Sequence, residues 1–409
     1  MEVLQDTYKD TKIGRIPKDW EVMMLNEITN YKSSNLSLNK LEENTGKYKL
    51  YGASGMLKGI DFYQTDKESF AIVKDGSGFG NLLWCDKNSS ILGTLGRITN
   101  KETSDLKFCF YLTHTIKFKR YMSGSTIPHL YYKDYGNIKL PVPPLPEQQK
   151  IAEILSTVDE QISTTQVIID KSKELKKGLM QELFSEGIGH TEFKDTKIGR
   201  IPKDWEVSTL YEIRKQSDRH SFTGGPFGSD LKSSDYTDSG VRIIQLGNIG
   251  VGSFIDKSKI YTSEEKANQL ISCNVYPNDI ILAKMAPVAR SCKVPSSSSR
   301  YVMCSDGIRL AVDTEKVDDN FIFHSLQDRR FRASAERCMV GTTRGRIGLN
   351  DLRNLLIPFP PLSEQQKIAA ILSEADAKIE KEQTQKAQLE ELKKGLMQQL
   401  LTGKKRVKV

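Results

Sequence analysis

The sequence contains no run of about 18 apolar residues, which leaves no candidate for a membrane-spanning helix. The opening MEVLQDTYKD has no basic stretch leading into an apolar one, so no secretory signal is expected and the cytoplasm is the expected compartment. Six cysteines (Cys85, Cys109, Cys273, Cys292, Cys304, Cys338) are scattered without a Cys-x-x-Cys pair, a pattern of reduced thiols rather than disulfides or zinc. His114, His129, His190, His220 and His324 form no H-x-x-x-H or H-E-x-x-H pair, and no serine stands in a G-x-S-x-G elbow. The stretch Asp75-Gly-Ser-Gly-Phe-Gly80 lacks the Gly-Lys-Ser/Thr ending of a phosphate loop, and no Asn/Asp-Pro-Pro-Tyr/Phe methyltransferase motif occurs. A turn between strands is the expected role of residues 75–80. No catalytic residue, metal ligand or cofactor is therefore assigned to the chain.

What is present is ordinary in bulk and unusual in arrangement. With 409 residues, 38% apolar and 27% charged, the chain can bury two or three cores. Sixty Lys and Arg against 52 acids give a net charge of +8, compatible with nucleic acid without requiring it. Residues 9–22, KDTKIGRIPKDWEV, recur letter for letter as residues 194–207. EQQKIA at 147–152 recurs at 364–369, and ELKKGLM at 174–180 recurs at 391–397, both at an offset of 217. The chain is a tandem duplication whose connectors were kept while the blocks between them diverged.

The retained segments carry a helical code. Ile151, Leu155, Val158, Ile162, Thr165 and Ile169 fall at steps of four and three, a heptad seam, and Ile368, Leu372, Ala375 and Ile379 repeat it. Each seam follows a proline-rich lead-in, PVPPLP at 141–146 and PFPPLS at 358–363, and Ser363 is a candidate N-cap. A 38-residue helix is a rod of roughly 57 Å. Two such helices related by an approximate two-fold axis would run antiparallel and bury their seams on each other. The motif 9–22 would then stand beside the end of the second helix, making the chain pseudo-circular. The blocks of about 23–140 and 208–357 contain short apolar runs at 69–73, 241–246 and 279–283, bounded by turn formers. These runs predict mixed α and β domains rich in loops. The basic tail Lys404-Lys-Arg-Val-Lys408 is expected as a solvated end.

The succession of variable block, PxPPLxEQQKIAxIL helix ending in LKKGLMQxL, IGRIPKDWEV linker, second block and second helix resembles the specificity subunits of type I restriction-modification systems over the whole chain. The resemblance implies an α+β architecture of two target recognition domains on two long antiparallel coiled-coil helices. The expected partition is a conserved segment 1–22, a first recognition domain 23–146 and a central helix 147–190. A linker with the second recognition domain over 191–363, a C-terminal helix 364–401 and a basic tail 402–409 follow. It further implies that each domain reads half of a split, asymmetric double-stranded DNA target, while the helices set the gap and dock two modification (methyltransferase) subunits. S-adenosylmethionine would then belong to the partner, and two restriction subunits acting as ATP-dependent translocases would be further partners.

Candidate DNA contacts lie where cations, aromatics and hydroxyls interleave: Lys117, Lys119, Arg120, Ser125, Thr126 and His129 in the first block, and Thr342, Thr343, Arg344 and Arg346 in the second. Gly-Ser-Thr at 124–126 and Gly-Thr-Thr at 341–343 look equivalent. Solvated basic loops are the competing reading, and Lys58, Lys74, Arg290 and Arg309 are weaker candidates for which an ordinary surface cation is the favoured expectation. Two other functions are weighed: a coiled-coil adaptor for ligands other than DNA, and a self-sufficient DNA methyltransferase, for which the motifs are missing.

Overall fold

The computed structural model describes residues 7–76, 78–124, 128–341 and 345–408. They form two compact units, residues 1–167 with 383–409 and residues 168–382. Each unit combines one variable block with the head of one long helix and the tail of the other.

The retained segments fold as the heptads require, with shifted bounds: the continuous helices Leu145–Glu186 and Leu362–Leu400 begin two residues before the expected 147 and 364 and end before the expected 190 and 401. Ile151, Leu155, Val158, Thr165 and Ile169 are buried, as are Ile368, Leu372 and Ile379, while Ile162 and Ala375 are half-buried. In the first unit Ile151 and Leu155 share a core with Leu396, Leu400 and Leu401. In the second, Ile368 and Leu372 share one with Leu179, Leu183 and Phe184. Head packs on tail in both, so the helices are antiparallel within each unit.

The helix starts differ from expectation. Pro144 and Pro361, not Ser363, occupy the cap positions, their carbonyls accepting from the amides of Glu147 and Gln148 and of Glu364 and Gln365. Ser363 already lies in the first turn. The consecutive prolines hold the lead-in extended up to residues 144 and 361, so the helix can begin only after them.

The fourteen-residue repeat makes the same object twice. Tyr8–Thr11 pairs with Gly14–Pro17 as Phe193–Thr196 pairs with Gly199–Pro202, in identical register. The next strand, Glu21–Met24 or Glu206–Thr209, pairs antiparallel with the proline-bearing lead-in, Lys139–Val142 or Leu356–Phe359. That pairing seats the fully buried Trp20 and Trp205 beside the first turn of a long helix. Trp20 Nε1 donates to Glu147 Oε2 at 3.0 Å, and Trp205 Nε1 to Glu364 Oε2 at 2.9 Å.

The variable blocks share a sheet despite sharing few letters. The first has the antiparallel order Thr29–Ser33, Leu95–Asn100, Ser69–Val73, Leu82–Cys85; the second has Phe222–Gly224, Gly307–Leu310, Ile280–Ala283, Ser291–Lys293. The predicted runs at 69–73 and 279–283 are the fully buried strands Ser69–Val73 and Ile280–Ala283 of these sheets, where side chains on both faces must be apolar. A three-stranded sheet completes the first block and a five-stranded one the second; the predicted run at 241–246 supplies the buried strand Val241–Ile244 of the latter. In each block a helix capped by an aspartate docks on the spacer. Asp105 and Asp318 cap Leu106–Thr113 and Asp319–Ser325, and their own amides donate to Gln148 Oε1 and Gln365 Oε1. No helix among the described residues is long and apolar enough to cross a membrane.

The basic tail corrects expectation. Gly403 turns the chain at φ +70°, where an added Cβ would lie 2.5 Å from Pro17. Arg406 then reaches back, its Nε 2.7 Å from Glu147 Oε1 and its Nη2 2.7 Å from Asp19 Oδ2. The buried carboxylate left at the helix head holds the tail down. Glu147 and Asp19 accordingly push the Arg406 pKa upward. In the second unit His190 Nε2, 2.9 Å from Glu364 Oε1, takes this place.

Candidate nucleic-acid interface

In both variable blocks an apolar strand runs out into a lysine: Ser69-Phe-Ala-Ile-Val-Lys74 and Asp279-Ile-Ile-Leu-Ala-Lys284. The carbonyl of that lysine accepts from a later segment, Leu130 N to Lys74 O at 2.8 Å and Ile347 N to Lys284 O at 2.9 Å. The adjoining residues form matching isolated bridges, Asp75 with His129 and Met285 with Arg346. His129 and Leu130, and Arg346 and Ile347, are thereby brought to equivalent places, beside the loop that follows the buried strand. The equivalence suggested by Gly-Ser-Thr and Gly-Thr-Thr thus has a backbone counterpart in the residues that flank them.

In the first block His129 Nδ1 lies 2.7 Å from Asp75 Oδ1 and its ring stacks toward Tyr131 at 6.3 Å. Lys133 Nζ lies 5.5 Å from the Tyr131 ring centre, and Tyr31 stacks on Tyr132 at 4.6 Å. Tyr31 is held protonated to higher pH by burial and by the charge of Asp75. The three tyrosines, Asp75 and Lys133 line, with Ser33, Lys74 and Leu130, an open hollow of about 340 Å³. In the second block Arg346 is exposed and 3.4 Å from Asp306 Oδ1. Lys284 is half-buried, donates to Ser305 O and has its pKa lowered by burial. Cations, stacked rings and hydroxyls at one rim can grip phosphates and present donors to base edges.

The predicted residues divide into groups. His129 and Arg346 sit at the two bridges. Lys117, Lys119 and Arg120 are exposed around the turn Phe118–Tyr121, whose Phe118 is buried against Tyr135. Ser125, Thr126, Thr342, Thr343 and Arg344 lie outside the described residues. One of the expected surface cations is buried and the other three are half-buried. Arg309 is 5% exposed and clamped by Asp218 and Asp279 at 2.8 and 2.6 Å. Arg290 donates to the carbonyls of Ile249, Leu246 and Ala286, a loop staple. Lys58 similarly donates to Leu41 O and Glu42 O. Sequence reasoning missed Asp75 as the partner of His129, and it missed Lys284 altogether. The shared ending of two apolar strands in lysine was the available signal.

An α+β chain built twice on antiparallel helices, with a cation-bearing rim at the equivalent place of each variable block, defines a duplicated two-domain protein on a helical frame. The model of the family described as "Type I restriction modification DNA specificity domain" matches residues 17–174 and again 202–391. The MjaVIII type I restriction enzyme specificity subunit of Methanocaldococcus jannaschii is 31% identical, covering 99% of this chain and 97% of that protein. The EcoDI specificity subunit of Escherichia coli is 22% identical over 87% of this chain and 81% of its own. The crystal structure of a type I S subunit from M. genitalium has the same fold, with TM-score 0.65, 18% identity, and coverage of 93% of this chain and 96% of that one. The chain belongs to the type I restriction-modification specificity family.

Proposed function

We propose that the chain is the DNA-reading subunit of a type I restriction-modification complex, non-catalytic itself, with each unit recognising one half of a split and asymmetric target. The supporting observation is the pairing of a duplicated frame with unlike rims. Lys74, Asp75 and His129 in one unit correspond to Lys284, Met285 and Arg346 in the other, so the two units present different donors from equivalent places. Different donors select different bases.

The long helices set the unread gap and carry two modification subunits. Leu175 and Leu392, equivalent under the 217-residue repeat, are 61% and 50% exposed and offer two like apolar footholds to two copies of one partner. Methyl transfer from S-adenosylmethionine takes place in that partner, and restriction subunits attach to the same complex.

Co-expression with its modification subunit in a methylation-free host, followed by mapping of N6-methyladenine, tests the proposal. One bipartite, asymmetric motif with a fixed gap is expected. A stable complex that leaves DNA unmethylated would overturn it. Exchanging residues 208–357 for another block should alter one half-site only, and inserting a heptad in both helices should lengthen the gap while keeping both half-sites.

A further inference from the structure

The central strands of the two four-stranded sheets carry an arginine at equivalent positions, and the two are treated oppositely. Arg97 pairs in register with Ala71, and Arg309 with Ile281. Each is 5% exposed. Arg309 has two carboxylates, Asp218 and Asp279. Arg97 has none among the described residues: where the second unit places Asp279, the first has Ser69. Its Nη1 donates to Ser69 Oγ at 2.6 Å and its Nη2 to Ser89 O at 3.1 Å, both uncharged acceptors. A buried guanidinium is always protonated, and without a counter-charge its burial is unfavourable.

Arg97 stands in the wall of a cavity of about 670 Å³, whose other walls include Lys32, Ser33, Asn35, Gln64 and Thr99. None of its lining residues carries a carboxylate. The lining thus combines two cations with hydroxyl and amide donors, and its volume is that of a small-ligand site. Burial also lowers the Arg97 pKa, the direction expected of a cation that lacks its anion.

We propose that this cavity is an anion site that takes a phosphate group, with Arg97 as its fixed charge and Lys32 closing over the outer side. The ligand completes in the first unit the neutralisation that Asp218 and Asp279 supply in the second. The site stands whether or not the chain reads DNA, and the phosphate belongs either to a DNA backbone or to a free phosphate-bearing ligand.

The test is titration of the full chain with inorganic phosphate at constant ionic strength, followed by calorimetry and 31P line width. Saturable binding is expected in the wild type, weakened at least tenfold in Arg97→Met and more mildly in Lys32→Gln. Lys32 is exposed, so that second variant keeps the test valid should Arg97→Met misfold. Absence of saturable binding in the wild type, or undiminished binding in both variants, would overturn the site. The salt dependence of binding to a mixed-sequence duplex then separates the sources. A slope reduced by about 0.9 in Arg97→Met assigns a DNA phosphate, and an unchanged slope assigns a free ligand.

Discussion

The two units solve one joint with different third partners. In the first, Glu147 takes the Trp20 indole and the tail residue Arg406; in the second, Glu364 takes the Trp205 indole and His190. A second pair of matched contacts lies further along the helices: Asp159 meets Lys393, and Asp376 meets Lys176, at 2.6 Å in both. On the first ion pair the variable block sets Tyr111, whose hydroxyl donates to Asp159; beside the second it sets His324, 3.2 Å from Ser373 and 3.9 Å from Asp376. Residues inside the repeats stayed the same because both units need the same frame. The residues that meet the frame from outside were free to differ in charge and in titration.

The largest expected effect comes from removing a shared member of the joint. Glu147→Ala leaves the buried Trp20 indole N–H unpaired and takes from the partly exposed Arg406 one of its two carboxylates, and should destabilise the first unit by about 2 kcal/mol. Glu364→Ala should cost somewhat less, because it deprives an imidazole rather than a guanidinium of a carboxylate. Hydrogen exchange resolved by peptide is the measurement, and equal loss of protection in both units from either variant would break the claim of separate joints.

Acid sharpens the contrast next. His324 has its pKa lowered to about 4, first by burial and then by Lys176, with Asp376 opposing and Lys293 adding to the depression. A histidine depressed in the folded state is neutral there while the unfolded chain takes up the proton at about 6.5. Stability is therefore full above pH 6.5 and falls as pH drops toward about 4, by at most about 1.4 kcal/mol per pH unit. Urea midpoints against pH should show this slope in the second unit. His324→Tyr, which copies Tyr111, should flatten it; an unchanged slope would assign the acid sensitivity to other groups.

Arg406→Ala should loosen only the first unit, by about 1–2 kcal/mol, because Glu147 keeps its indole donor. Exchange protection near Trp20 checks it, and a wild-type pattern would restore the solvated-tail reading. The smallest effects belong to Lys393→Met and Lys176→Met, each about 0.5 kcal/mol, since both ion pairs are partly exposed. Their near equality in chemical denaturation is the expected outcome.

Heptads and repeats are local regularities, so the long helices, their antiparallel seam and the doubling of the fourteen-residue motif could be read from letters, whereas the hairpin that motif forms could not. Helix starts were legible only to within two residues, because proline geometry outweighed the capping preference of Ser363. The buried strands showed as apolar runs, yet their order in the sheet did not. Pairing partners such as Leu95–Asn100 and Ser69–Val73 are chosen by contacts remote in sequence. The same holds for the rim, where His129 was visible and its partner Asp75, 54 residues earlier, was not.

By itself the sequence determined that this protein is one frame written twice around two unlike blocks, because periodic burial and exact repetition need no knowledge of neighbours. Only the tertiary structure decided which charges are neutralised. It turned Arg309 from a surface cation into a buried clamp, left Arg97 without a counter-ion among the described residues, and folded a basic tail onto Glu147. Charge pairing depends on distances between residues that the chain order keeps far apart, and only folding sets those distances.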